Sequence, residues 1–95
     1  MDTGDARAVV KVRWGRAASD QYREIIEFLA KDNPPAAQRV AQRLFNAIES
    51  LKNLPYRGRG GRAGTRELIC YPYIVEYRVM SDVEILRIRH GAQLQ

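Results

Sequence analysis

Alternating apolar and polar residues predict a β-strand close to the N-terminus. Within AVVKVRW, residues 8–14, Val10, Val12 and Trp14 fall on one side of an extended chain, while the other side carries two basic residues. Residues 1–7 are small and polar, with no apolar period to bury, so we expect them to form a flexible tail. The first structured element is therefore predicted to begin just after this tail.

The spacing of apolar residues then changes to that of two amphipathic helices. From Ala17 onward, apolar side chains recur every three or four positions as far as Asp32, which is the period of an α-helix. Asn33 and Pro34 interrupt this pattern, because a residue before proline avoids helical geometry and asparagine is a favoured helix cap. A second helix is predicted from there until Pro55 stops it. Such a short link predicts an antiparallel helical hairpin.

Three strand-like runs complete the pattern: RELICY at 66–71, YIVEYRVM at 73–80 and VEILRIRH at 83–90. Pro72 separates the first two runs, and the short connection of Ser81 and Asp82 predicts a hairpin before the third. The order strand, helix, helix, strand, strand, strand predicts an α+β domain. Its helical hairpin is expected to pack on one face of a mainly antiparallel four-stranded sheet.

Length and charge narrow the class of protein. A chain of 95 residues with 45% hydrophobic content supports one compact domain, predicted over residues 8–95. The net charge of +5 comes mainly from arginine, whose guanidinium group makes paired hydrogen bonds with phosphates and carboxylates. A polyanionic partner is therefore expected, either nucleic acid or an acidic protein segment.

The sequence offers few features of a membrane, disulfide-bonded or metal-binding protein. No apolar run approaches the length of a membrane span, and the first residues lack the apolar centre of a signal peptide, so a cytoplasmic location is expected. Cys70 is the one cysteine, which excludes an intramolecular disulfide, and its apolar surroundings predict a buried thiol. No cluster has metal-ligand spacing, and neither a metal nor a cofactor is expected.

The segment RGRGGRAGTREL, residues 57–68, combines four arginines with four glycines. A phosphate-binding P-loop needs lysine and then serine or threonine after its last glycine, but Gly64 is followed by Thr65 and Arg66. A disordered arginine-glycine tract is disfavoured because connections inside a compact domain are usually ordered. Two interpretations stay open, a structural turn with solvated arginines and a loop that faces a ligand.

Some of the residues needed to cleave RNA are present. Cleavage through the 2′-hydroxyl needs a base, an acid and positive charge near the phosphate. The candidates for these roles are His90, Arg66, Arg87, Arg89, Glu49 and Glu67. In an extended chain, His90 ends an apolar line that contains Leu86 and Ile88, whereas Arg87 and Arg89 lie on the opposite face. Because the chain has one histidine, this nuclease set is incomplete on composition alone.

The ordered motifs of the chain resemble the ParE branch of the RelE/ParE toxins of bacterial type II toxin-antitoxin systems, which includes plasmid stabilisation toxins. The resemblance covers residues 9–93. Its segments are Trp14, AASDQYREIIEFLAKDNPPAAQRV, LPYRGRGGRAGTREL, YIVEYRV and ILRIRHGAQ. Its most specific positions are Asp20, Asn33, Pro34, Pro55, Gly58, Gly61, Arg66, Glu67, Leu68, Tyr77, Arg78, His90 and Gly91.

The resemblance implies both a fold and a protein partner. The fold would be a helical hairpin on an antiparallel sheet, as the periodicity also predicts. The partner would be a cognate antitoxin whose C-terminal part, often acidic, folds as it wraps and neutralises the toxin in a hetero-oligomer. The resemblance makes Tyr73, Tyr77 and Arg78 the candidate antitoxin contacts.

Two activities occur among such toxins. RelE-like members are ribosome-dependent mRNA endonucleases, whereas ParE-like members inhibit DNA gyrase without a hydrolytic site of their own. Nuclease members resemble this chain at Arg66 and, in part, at His90. However, residues 91–93 contain no tyrosine, and the lysine-rich patch of the nucleases is reduced to Lys52. Gyrase inhibition is therefore the preferred expectation, and RNA cleavage or an inactive antitoxin-binding relative are the alternatives.

Each activity assigns its own residues. For gyrase inhibition, the expected target-binding residues are Arg66, Arg87, Arg89 and His90. For RNA cleavage, the candidate catalytic residues are Arg66, His90 and Glu49. Arg66 also has a structural interpretation, in which it pairs with a carboxylate such as Glu76 across the sheet.

Overall fold

The structure, a computed structural model, describes residues 10–91, which form two helices and five strands. The helices are α1 (Arg16–Asp32) and α2 (Pro34–Glu49), and the strands are β1 (Val12–Trp14), β2 (Arg59–Gly60), β3 (Arg66–Cys70), β4 (Tyr73–Val79) and β5 (Val83–His90). The tail predicted for residues 1–7 lies outside the described residues. None of the helices in the described part is long and apolar enough to cross a membrane.

The strands form one mixed sheet in the order β1-β5-β4-β3-β2. β1 pairs with β5 in parallel, and all other neighbours are antiparallel, so the predicted α+β class and mainly antiparallel sheet are confirmed. The predicted number of four strands is wrong. The fifth strand, β2, has only two residues from the glycine-arginine segment, and such a short run carries no apolar alternation.

The predicted break between the helices is confirmed at Asn33. Its side chain accepts a hydrogen bond from the Ala36 amide at 3.1 Å, and Pro34 occupies the first helical position, where a missing amide hydrogen costs nothing. The second helix ends earlier than predicted, at Glu49. The chain then makes a short 3₁₀ turn over Ser50–Lys52 before it reaches Pro55.

Both helices cover one face of the sheet and bury a single core. Its fully or nearly fully buried members are Ala18, Leu44, Ile48, Leu51, Leu68, Cys70, Tyr73, Val75, Tyr77, Val83, Ile85 and Ile88. The predicted alternation of β4 is confirmed, because Tyr73, Val75 and Tyr77 all face this core. Cys70 is a buried free thiol, as expected.

A β-bulge in β5 decides which of its side chains face the helices. The pairing passes from Tyr77 with Ile85 directly to Glu76 with Arg87, so Leu86 is an extra residue without a direct partner on β4. The bulge shifts the alternation by one position. As a result Ile85 and the later Ile88 both lie in the core, whereas Arg87 is exposed on the other face.

Candidate functional site

The sheet face opposite the helices carries a continuous network of ion pairs, which we call the arginine-glutamate network. Arg59 Nη2 lies 2.9 Å from one carboxylate oxygen of Glu67, and Arg89 Nη2 lies 3.0 Å from the other. Arg89 Nη1 also contacts Glu76 at 3.5 Å, and Arg87 Nε lies 3.3 Å from the same Glu76 oxygen. Four strands therefore contribute five charged side chains to one surface.

Strand register explains why this network forms. Glu67 on β3 stands directly opposite Glu76 on β4, and two like charges in such a pair destabilise a sheet. Arg89 bonds to both carboxylates and is only 18% exposed, so it offsets their repulsion from a half-buried position. Arg87 is 57% exposed and has a single, longer contact. Arg89 thus supports the sheet, while most of the Arg87 side chain is available to a partner.

The network also shifts the acidity of Glu67. Partial burial by itself would raise the pKa of this carboxyl, but hydrogen bonds and charge attraction from Arg59 and Arg89 outweigh burial. The net result is a pKa below the ordinary value of 4.5. Glu67 therefore stays ionised at neutral pH and holds both guanidinium groups in place.

We expect the acid sensitivity of folding to depend on Glu67. Since the folded state lowers the pKa of this group, its stabilising contribution is complete above about pH 4.5 and is lost as the pH falls through the folded-state pKa. Urea unfolding at a series of acid pH values measures this loss. Glu67→Gln has no carboxyl to titrate, so its unfolding free energy should change less over the same range. Equal pH dependence in both proteins would contradict this role.

A shallow cavity of about 490 Å³ lies beside the network. Its walls include Arg62, Ala63 and Thr65 from the glycine-arginine segment, together with network residues of β3, β4 and β5. Ala63 has φ 53°, a left-handed conformation that is uncommon for a residue with a side chain. Glu67 and Glu76 also line the cavity, but Arg62, Arg87 and Arg89 outnumber these two carboxylates, so the cavity suits an anionic group such as a carboxylate or a phosphate.

Arg66 lies apart from this network. Its Nη2 donates to the carbonyl oxygens of Gly58 at 2.7 Å and Tyr56 at 3.2 Å, and its Nε donates to Gly58 at 3.1 Å. Its guanidinium carbon lies 5.3 Å from the centre of the Tyr56 ring. The structural interpretation of Arg66 is supported, but with backbone carbonyls as its partners. The suggested partner Glu76 instead binds Arg87 and Arg89.

The structure separates the residues proposed for catalysis. Arg66 stands opposite Tyr77 on β4, whereas His90 stands opposite Tyr73. The rings of His90 and Tyr73 meet edge to face, with their centres 5.5 Å apart. Tyr73 and Tyr77 are four residues apart on β4, a distance of about 13 Å along a strand. Arg66 and His90 therefore lie towards opposite ends of the sheet. Glu49 ends α2 and forms an ion pair with Lys52.

The residues expected to bind an antitoxin have different environments. Tyr77 is fully buried, and its hydroxyl donates to the Pro55 carbonyl at 2.8 Å and accepts from the Gly58 amide at 2.9 Å. This side chain therefore stabilises the fold and presents no surface to a partner. Arg78 is exposed and pairs with Glu84 at 3.0 Å. Tyr73 is 8% exposed and lines a groove.

This groove, the α1–β5 groove, is an open cleft of about 920 Å³ between α1 and the second half of β5. Its lining residues are Gln21, Glu24, Ile25, Phe28, Leu29, Tyr73, Arg87, Ile88, Arg89 and His90. β1 pairs with β5 only over residues 83–85, and beyond them this side of β5 has no strand neighbour within residues 10–91. Gln21 Oε1 accepts the Ile88 amide hydrogen bond at 2.7 Å instead.

Sequence reasoning missed this groove, although one signal for it exists. Phe28 is 69% exposed because it lies outside the buried stripe of α1, and a large aromatic residue there is available for binding. Within residues 10–91, no three His, Cys, Asp or Glu side chains lie close enough together to hold a metal ion.

Comparison with a known structure agrees with the fold. A solved structure described as the chromosomal ParDE TA system from P. aeruginosa superposes with a TM-score of 0.78 at 22% identity. The match covers 86% of this chain and 96% of that chain. At this identity the likeness establishes the architecture of helical hairpin and sheet.

Sequence comparisons establish the family, as the ordered motifs predicted. The model of the ParE toxin of type II toxin-antitoxin system, parDE, matches residues 12–95. The chain is 42% identical to toxin Y4kP of Sinorhizobium fredii over 87% of this chain and 90% of that relative. It is 40% identical to Toxin RelE2 of Caulobacter vibrioides over 90% of this chain and 100% of that relative. The chain therefore belongs to the ParE toxin family of type II toxin-antitoxin systems.

Proposed function

We propose that this toxin arrests bacterial growth in the cytoplasm by binding DNA gyrase, and that a cognate antitoxin neutralises it. The observation that carries this proposal is the separation of Arg66 from His90, while the exposed guanidinium groups of Arg59 and Arg87 lie together on the uncovered sheet face. A binding protein needs such a surface and needs no catalytic centre.

Proton transfer to a reacting group requires an acid or base within hydrogen-bond reach of it, about 3 Å. The backbones of Arg66 and His90 lie about 13 Å apart along the strands, an arrangement that does not favour joint action on one phosphate. Arg66 is also committed to the Gly58 and Tyr56 carbonyls, and Glu49 to Lys52. These arrangements favour target binding over RNA cleavage by the expected residues.

The arginine-glutamate network supplies the proposed target surface. Arg87 is 57% exposed, and Arg62 adds a second exposed guanidinium group beside it in the cavity. Glu67 and Glu76 hold the guanidinium group of the largely buried Arg89 in place. The surface is therefore preorganised for carboxylates of a protein partner. Of the expected target-binding residues, Arg87 and Arg89 lie on this surface, whereas His90 lies in the α1–β5 groove.

The α1–β5 groove supports neutralisation by an antitoxin. It combines the exposed ring of Phe28 with the β1-side edge of β5 beyond residue 85, which has no strand neighbour within residues 10–91. An extended segment can add to such an edge through main-chain hydrogen bonds. Gln21 Oε1 accepts the hydrogen bond of the Ile88 amide, and a backbone carbonyl oxygen of the antitoxin segment would replace it there. Of the expected antitoxin contacts, Tyr73 lines this groove, and Arg78 lies exposed on β4.

RNA cleavage is the second candidate, because guanidinium groups bind phosphates as well as carboxylates. Induction of the toxin in bacteria without its antitoxin separates the two functions, with DNA and protein synthesis followed by pulse labelling in the same samples. We expect DNA synthesis to fall first and to be accompanied by a DNA-damage response. His90→Gln is the matched variant, and it should keep this arrest. An early fall in protein synthesis, abolished by His90→Gln, would overturn the gyrase proposal.

A further inference from the structure

Two large apolar side chains stand exposed on the turn that follows α2. The Arg57 amide donates to the Leu54 carbonyl at 3.1 Å, which closes a four-residue turn with Pro55 in its second position. Within this turn Leu54 is 59% exposed and Tyr56 is 64% exposed. The two side chains lie two residues apart, and exposed apolar side chains that cluster mark candidate interaction sites, unlike ones that are scattered singly.

The backbone of the turn is fastened to the sheet on both sides of Tyr56. The buried Tyr77 hydroxyl bonds to the Pro55 carbonyl at 2.8 Å and to the Gly58 amide at 2.9 Å. Arg66 binds the carbonyls of Tyr56 and Gly58. Two strand side chains therefore hold the backbone at Pro55, Tyr56 and Gly58, while the apolar side chains of Leu54 and Tyr56 stay exposed.

The charge around the turn is positive. Arg57 donates to the Ser50 hydroxyl at 2.7 Å, and Arg66 donates to backbone carbonyls, so both guanidinium groups bond to neutral oxygens. Neither forms an ion pair with a carboxylate of residues 10–91. Arg66 also lies against one face of the Tyr56 ring, 5.3 Å from its centre, which leaves the rest of the ring exposed.

From these observations we infer that Leu54 and Tyr56 form the anchor of the toxin on its target, a protein surface with an apolar pocket and an acidic rim. Aromatic anchors held rigidly and surrounded by arginine are typical of the residues that dominate protein interfaces. Leu54 favours a protein over a nucleic acid, since an aliphatic side chain does not stack on bases as an aromatic ring does. The inference rests on the proposed function, in which the toxin acts by binding.

The turn leads directly into the arginine-glutamate network. Arg59 begins β2 three residues after Tyr56 and bonds to Glu67 on the uncovered sheet face. The chain therefore passes from the apolar anchor to the network within three residues.

Tyr56→Ala tests the inference, with Phe45→Ala as the matched control because Phe45 is an exposed aromatic residue, 42% accessible, on α2. Binding of the purified toxins to purified bacterial DNA gyrase is measured, together with growth arrest, thermal unfolding and co-purification with the cognate antitoxin. Tyr56→Ala should weaken gyrase binding at least about tenfold and relieve growth arrest, while folding and antitoxin capture persist. Phe45→Ala should behave as the parent toxin.

The outcomes distinguish this inference from the gyrase proposal. If the parent toxin binds gyrase and Tyr56→Ala binds it equally well, the anchor is overturned and the gyrase proposal stands. If the parent toxin does not bind gyrase, the gyrase proposal is wrong. In that case, unchanged growth arrest by Tyr56→Ala would also contradict the role of Leu54 and Tyr56 as the target anchor. Loss of antitoxin capture by Tyr56→Ala would overturn it in a third way, because the turn would then serve the antitoxin.

Discussion

Replacement of Gly58 by alanine is expected to lower the free energy of unfolding by about 2–4 kcal/mol. A Cβ atom at this position would lie 2.7 Å from the Glu67 carbonyl oxygen and 2.7 Å from the Tyr77 hydroxyl. Neither neighbour moves freely, because one belongs to the backbone of β3 and the other to a fully buried ring. Relief of the clash requires the turn to shift, which weakens the hydrogen bonds of Gly58 with Tyr77 and Arg66.

Urea unfolding of Gly58→Ala beside Gly60→Ala measures this effect. Gly60 lies two residues further along, and a Cβ atom there meets nothing within 4 Å. We expect Gly60→Ala to change stability by no more than about 0.5 kcal/mol. Similar losses in both variants would indicate that flexibility of the segment, and not the close approach at Gly58, determines stability.

The largest expected effect on activity comes from Arg87→Gln. This change removes the most exposed guanidinium group of β5, and we expect it to relieve growth arrest at least about tenfold, as loss of an interface arginine does. Stability should fall by less than about 1 kcal/mol, since Arg87 is 57% exposed and Glu76 keeps its contact with Arg89. Colony survival after induction, together with thermal unfolding, measures both effects.

Arg13→Gln is the control for the Arg87 substitution. Arg13 is 60% exposed on β1 and has one comparable contact, with Asp82 at 3.5 Å, so the variant loses the same charge at a residue outside the network. Arg13→Gln should leave growth arrest intact. If Arg13→Gln relieved growth arrest as strongly as Arg87→Gln, overall basicity rather than the network would carry the activity.

The helices and the core were predictable because each depends on local patterns. Apolar periodicity located both helices and the face of β4, and Asn33 with Pro34 marked the break between them. Strand β2 was not predictable, since its two residues become a strand only by pairing with β3. The bulge at Leu86 was equally hidden, because it depends on the register between β4 and β5.

The site was predictable in its residues but not in its arrangement. Arg87 and Arg89 were expected to share a face, and they do. The role of Glu67 and Glu76 depends on register across strands and is not visible in sequence. The separation of Arg66 from His90 follows from topology. β3 and β5 both run antiparallel to β4, so the first residue of one and the last residue of the other lie at opposite ends.

The parallel pair of β1 and β5 has a consequence for how the toxin is made. Val12 pairs with Val83, so the sheet joins strands that are about 70 residues apart in sequence. Contacts of such long sequence separation form late, and during synthesis β1 waits for a partner that is translated after both helices and the other three strands. The α1–β5 groove has β5 as one wall, and it is therefore complete only after β5 has been translated. A nascent toxin that still lacks β5 has no finished groove, and an antitoxin that binds there can engage only a chain that contains β5.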